Sequence, residues 1–177
     1  MAVTIVEDFS GSSDKITKQL HKELGCNIME VPTFKKVVIS AGIGVSDKKD
    51  YQNMCEVMSA ITGQKAVVTH ARKSESGFKI REGMPLGAMV TLRNDKMHHF
   101  LEKLVHVVMP RIRDFRGMNR KAIHHGCISM GLRDINVFSE LTENVRGGLN
   151  ITIVTSTHNP DWTLALLKAY GFPIREK

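Results

Sequence analysis

The segment Leu149 to Ser156, LNITIVTS, alternates without a break: Leu149, Ile151 and Ile153 fall on one side, Asn150, Thr152 and Val154 on the other. A strand of that pattern buries one face and opens the other, which commits the chain to a sheet covered on a single side. Further β-rich runs supply its neighbours: KKVVIS from Lys35 to Ser40, AVVTH from Ala66 to His70, GAMVTLR from Gly87 to Arg93, and CISMGL from Cys127 to Leu132. Between them lie helical patterns. Ser13 caps a first helix carrying Ile16, Leu20 and Leu24, with Gly25 as its stop. Tyr51, Met54, Cys55, Met58 and Ile61 mark a second helix from about Asp47 to Thr62, which Gly63 ends. Met97, Phe100, Leu101, Leu104, Val105 and Val108 mark a third, which runs to Pro110. The last opens with Asn159 as cap, Pro160 in its first turn and Asp161 at the positive end of the dipole, and closes at Gly171.

These elements predict an α+β fold, a mostly antiparallel sheet of about five strands with helices packed on one face as a two-layer sandwich. No repeat, low-complexity tract or linker divides the 177 residues, so a single domain over 1–177 is expected, with 1–12 flexible. The open face is the informative one. If Val90 and Leu92 turn toward the helices, then Met89, Thr91 and Arg93 turn away, and by the same rule Val37 and Ile39 go inward while Ser40 goes outward. A surface of Ser, Thr, Asn and Arg hydrogen-bonds phosphates, ribose hydroxyls and base edges at low desolvation cost.

From His70 to Arg93 a long basic loop runs into a strand, and loops of that length without structure of their own are usually functional or disordered. Arg72, Lys73, Lys79 and Arg81 give it positive charge, while Gly77, Gly83, Pro85 and Gly87 prevent a helix. Phe78 stands between Gly77 and Lys79, where its ring either stacks on a nucleotide or folds back inward. A second basic segment, PRIRDFRG from Pro110 to Gly117, sets Arg111, Arg113 and Arg116 around Asp114, an acid expected to orient the arginine forks.

The net charge of +7 points to an anionic partner. No apolar run approaches the roughly 20 residues of a spanning helix, and the first residues lack the pattern of a secretory signal, so an intracellular protein without a membrane partner is expected. Cys26, Cys55 and Cys127 are odd in number and far apart, which fits thiols in a reducing compartment. Catalytic and metal readings have little support. Gly42-Ile43-Gly44 resembles the start of a dinucleotide fingerprint, but Asp47 stands where the third glycine belongs. His124, His125 and Cys127 are metal-ligand types in close sequence without a fourth ligand, and no local nucleophile signature occurs. No enzyme, cofactor or metal is expected.

Several blocks in order, VPTFKKVVISAGIGVSDKK, ITGQKAVVTHARKSESGFKIREGMPLGAMVTLR, MPRIRDFRGM and NITIVTSTHNPDWTLALLKAYGFP, resemble the bacterial-type family of the fifth large-subunit ribosomal protein, the 5S rRNA-binding protein of the central protuberance. The resemblance runs from about Asn27 onward. It implies a sandwich like an RNA-recognition domain whose sheet face binds 5S rRNA at Ser40, Gln64, Thr91 and Arg93, with Lys65 close by. It also implies a loop reaching P-site tRNA through Arg72, Lys73, Gly77, Phe78, Lys79 and Arg81. Arg111, Arg113 and Arg116 would meet the large-subunit 23S rRNA, and neighbouring ribosomal proteins, including one of the small-subunit head, would complete the partners. The implied setting is a cytoplasmic ribosome, with an organellar one as the other possibility. The main alternative is an extra-ribosomal RNA-binding regulator using the same face.

The chain departs from the family pattern at four places. Ser40 replaces the usual Asn, Glu75 brings a charge to a loop position normally uncharged, MNRKAIHHGCISMG lacks the usual FDGRGNYS pattern, and the stretch 138–148 is shortened.

Overall fold

The computed structural model describes residues 13–44, 48–141 and 147–175. The expected flexible start, 1–12, lies outside them, as do 45–47 and part of the shortened stretch 138–148. Eight strands are formed among the described residues: β1 Phe34–Gly42, β2 Val67–His70, β3 Pro85–Leu92, β4 Met118–Asn119, β5 Ile123–His124, β6 Cys127–Leu132, β7 Leu149–Thr155 and β8 Ile174–Arg175. The helices are α1 Ser13–Leu24, α2 Lys48–Thr62, α3 Asn94–Lys103, the single turn α4 Met109–Arg111, and α5 Pro160–Ala169. Six strands form an antiparallel sheet in the order β2-β3-β1-β7-β6-β5, giving the expected α+β sandwich with one strand more than the five anticipated. The extra strand is β5, two residues long and too short to show a period. A separate two-stranded sheet pairs β4 with β8 in parallel, which no local pattern announces.

Two compact units divide the chain, one made of Val38–Leu92 and Gly131–Ile151, the other of Met1–Val37, Arg93–Met130 and Thr152–Lys177. In the first, α2 packs on β2 and β3. Tyr51, Met54, Met58 and Ile61 are buried on the helix, and Ile39, Ala41, Ala88, Val90 and Leu92 on the strands. Each large side chain buried this way contributes about 1.5–3 kcal/mol. The helix ends at Gly63, whose φ of +64° allows its N–H to reach the Ser59 carbonyl at 2.9 Å. Gly87 permits a close strand approach: a Cβ there would lie 2.3 Å from the Ala41 carbonyl oxygen.

In the second unit, α1 packs on α5 and buries Ile16 and Leu20. Asn159 caps α5 as expected, its side-chain oxygen accepting from the Asp161 N–H at 3.1 Å. The rings of Phe34 and Tyr170 pack with centroids 4.9 Å apart. The third helix does not stop at Pro110. It widens into a π-turn over Leu104–Val108, where the Met109 N–H bonds to the Leu104 carbonyl five residues back, and then continues to Arg111. Pro110 has no N–H and its ring crowds the carbonyl four residues before it, so a wider turn carries the helix across the proline.

Candidate nucleic-acid interface

The alternation expected for the sheet is present. On β3, Met89 and Thr91 stand between the buried Ala88, Val90 and Leu92, and on β1 Ser40 stands between the buried Ile39 and Ala41. Thr91 is held from its backbone: the Gln64 side-chain Nε2 donates to the Thr91 carbonyl at 3.1 Å. Gln64 is itself fixed by Thr62, whose hydroxyl accepts from the Gln64 N–H at 3.3 Å and donates to the Met58 carbonyl at 2.7 Å. The next tie joins the Ala66 N–H to the Ser59 hydroxyl at 3.0 Å. The C-terminal turn of α2 therefore positions Gln64 and the exposed Lys65 beside β3. Ser40, Gln64, Lys65 and Thr91 belong to the same compact unit, while Arg93 is the first residue of the Arg93–Met130 segment of the other. Arg93 is exposed, two residues past Thr91, with extended backbone at φ −141° and ψ 163°.

The basic segment after β2 has structure of its own, contrary to the expectation of an unstructured loop. The Ala71 N–H bonds to the Met84 carbonyl at 2.8 Å and the Gly83 N–H to the Ala71 carbonyl at 3.0 Å, closing its base. Glu75 and Ile80 exchange both backbone bonds, at 2.9 and 3.1 Å, around a 3-10 turn Ser76–Phe78. Lys79 completes the tip in the left-handed region at φ 56°. The result is a small hairpin. Arg72, Lys73, Gly77, Lys79 and Arg81 are all exposed on it, and Phe78, far from folding inward, is 73% exposed. Glu75 serves the hairpin through its backbone, which local patterning of side chains does not reveal.

In the other unit, Arg111 ends α4, and Arg113 and Arg116 flank Asp114 at φ 55°. All three arginines are exposed or half-buried at most, and none is enclosed. The expected role for Asp114 is not seen: among the described residues it makes no ion pair with Arg111, Arg113 or Arg116. Its left-handed backbone and Gly117, at φ 93°, turn the chain so that the Met118 N–H reaches the Pro173 carbonyl at 2.8 Å. His125 and Gly126, both with positive φ, make the two-residue turn between β5 and β6, and His124 pairs with Cys127 across it. These residues serve a hairpin. Among the described residues no group of three His, Cys, Asp or Glu has the arrangement of a metal site.

Sequence reasoning placed Met89 on the outer face and missed its partner there, Val67. Val67 is 64% exposed and pairs directly with Met89, itself 39% exposed. The alternation that exposes Thr91 also places Met89 outside; the register joining it to Val67 has no local signature.

An open sheet face bearing hydroxyls and an amide, with exposed basic residues on an adjoining hairpin, defines a class of protein whose surface suits a polyanion. Residues 85–174 match the C-terminal part of the ribosomal L5 protein family, and residues 27–81 match ribosomal protein L5. The chain is 46% identical over 170 residues to the large ribosomal subunit protein uL5 of Methylococcus capsulatus, covering 92% of this chain and 94% of that one. It is 43% identical over 169 residues to the protein of the same name from Geobacter sulfurreducens, covering 91% and 94%. For that of Colwellia psychrerythraea the identity is 44% over 172 residues, covering 93% and 94%. The chain belongs to the ribosomal protein L5 family, whose members are structural and not catalytic. Among the described residues, no helix is long and apolar enough to cross a membrane.

Proposed function

We propose that this L5-family chain, a structural constituent of the large ribosomal subunit, binds 5S rRNA through Ser40, Gln64, Lys65, Thr91 and Arg93. In this reading one RNA-binding domain over 1–177 attaches 5S rRNA to the 23S-type rRNA of the central protuberance through Arg111, Arg113 and Arg116. The hairpin residues Arg72, Lys73, Gly77, Phe78, Lys79 and Arg81 reach P-site tRNA. Neighbouring ribosomal proteins, one of them in the small-subunit head, are the remaining partners. Its place of work is the cytoplasmic ribosome, as its bacterial relatives imply.

The observation that carries the 5S reading is the outward Thr91, fixed by the Gln64 bond to its carbonyl and flanked by the buried Val90 and Leu92. A hydroxyl on a rigid strand can read ribose and phosphate in the wide, shallow minor groove of RNA without reorganising. The exposed cations of the hairpin and the arginine segment supply the salt-dependent part of the attraction. Titration of 5S rRNA with the protein at several salt concentrations tests this. Tight binding that weakens with salt and is reduced by Thr91→Val supports it, and equal affinity for unrelated RNA of the same length contradicts it.

A further inference from the structure

We infer that Val67 and Met89 form an apolar seat for one unpaired nucleotide of the bound RNA, so that the sheet face selects RNA with a base out of its stack over continuous duplex. The inference rests on the RNA-binding reading of this face and adds the feature of RNA it recognises. Val67 and Met89 are direct partners across the β2–β3 ladder. Residues so placed have Cβ atoms about 5 Å apart, so the two side chains make one continuous apolar patch about the width of a base.

The surroundings of the patch are polar and cationic. Thr69 follows on β2 with Gly87 as its partner, Thr91 follows on β3, and exposed Lys65 precedes β2. Both strands run on into the hairpin that exposes Arg72, Lys73, Lys79 and Arg81. An apolar pair ringed by hydroxyls and cations is complementary to a nucleotide, whose flat ring needs an apolar support while its sugar and phosphate need donors and positive charge. A continuous duplex offers this face backbone and groove edges, and leaves Val67 and Met89 without a base to cover them.

The test compares two RNA hairpins, one with a single unpaired nucleotide in its stem and one fully paired, for binding to the full chain. The wild type should prefer the unpaired-nucleotide RNA by about tenfold, as covering such a patch implies. The double variant Val67→Thr, Met89→Thr, which keeps strand-forming residues, should bind both RNAs within about twofold of each other. The conservative double variant Val67→Ile, Met89→Leu should keep the preference. Thermal melting checks that all variants are folded. A wild type that binds 5S rRNA but does not distinguish the hairpins overturns this inference alone. Failure to bind 5S rRNA overturns the parent reading with it. Self-association of the wild type that the threonine variant abolishes, with RNA preference unchanged, would assign the patch to a second copy and also overturn the inference.

Discussion

Replacing Gly87 with alanine adds one methyl group where the backbone of β3 lies close against that of β1. The new Cβ would stand 2.3 Å from the Ala41 carbonyl oxygen and 3.3 Å from the Ala41 carbonyl carbon and the Thr69 hydroxyl. Ordinary carbon-to-oxygen contacts lie at about 3.3–3.6 Å, so the two backbones must part by about 1 Å. The bonds from the Ile43 and Gly44 N–H groups to the Leu86 carbonyl, 3.0 and 3.2 Å, then exceed hydrogen-bonding range. Two such bonds represent about 2 kcal/mol, and residual overpacking adds about 1–3 kcal/mol. The total, about 3–5 kcal/mol, corresponds to a fall in Tm of about 10 °C for a chain of this size. Gly131→Ala is the control, because its Cβ would meet only the Asn150 side-chain oxygen at 3.4 Å. Calorimetric melting decides. A Gly87→Ala protein that melts within about 2 °C of wild type would refute the tight β1–β3 approach.

Other outcomes follow from the same structure. Thr91→Val, nearly isosteric, should reduce 5S rRNA affinity by about 1 kcal/mol in a filter-binding titration, and unchanged affinity would remove the hydroxyl from the interface. Arg93→Ala should weaken 5S binding strongly, whereas Lys79→Ala should spare it and slow tRNA-dependent steps; equal 5S loss from both would contradict the division of surfaces. Burial, the larger cause, together with His99 lowers the His98 pKa below its ordinary 6.5, against the pull of Asp95. His98 Nδ1 is also buried without a partner among the described residues. A His with a depressed folded pKa stabilises the fold while neutral, so stability should be full above about pH 6.5 and decline as pH falls toward the folded value. His98→Leu should reduce that decline in urea melts at pH 7.5 and 5.5.

The outward direction of Ser40 and Thr91 is legible because buried and more open residues alternate from Val37 to Gly42 on β1 and from Ala88 to Leu92 on β3. The caps are legible for a similar reason: Asn159 and Gly63 act through their own local chemistry. What stays hidden depends on distant or purely backbone partners. The Glu75–Ile80 exchange involves main-chain groups, so the side chains suggest a glycine-rich loop where a hairpin stands. The β4–β8 ladder joins Met118 to Ile174, distant in sequence, and neither strand is long enough to show a period. Pro110 has the local signature of a helix end, yet the π-turn before it absorbs the missing bond. Gln64 enters the site through family resemblance; its physical role, the bond to the Thr91 carbonyl, needs coordinates.

The central claim is that the outer sheet face meets 5S rRNA, and a photo-crosslinking residue placed at position 91 in growing cells tests it most directly. Sequencing of the attached RNA should return 5S rRNA, with far lower yield from the same residue placed at the exposed Gln19 of α1. Crosslinks from position 91 that fall on protein alone, or on diverse RNAs no more often than those from position 19, would contradict it.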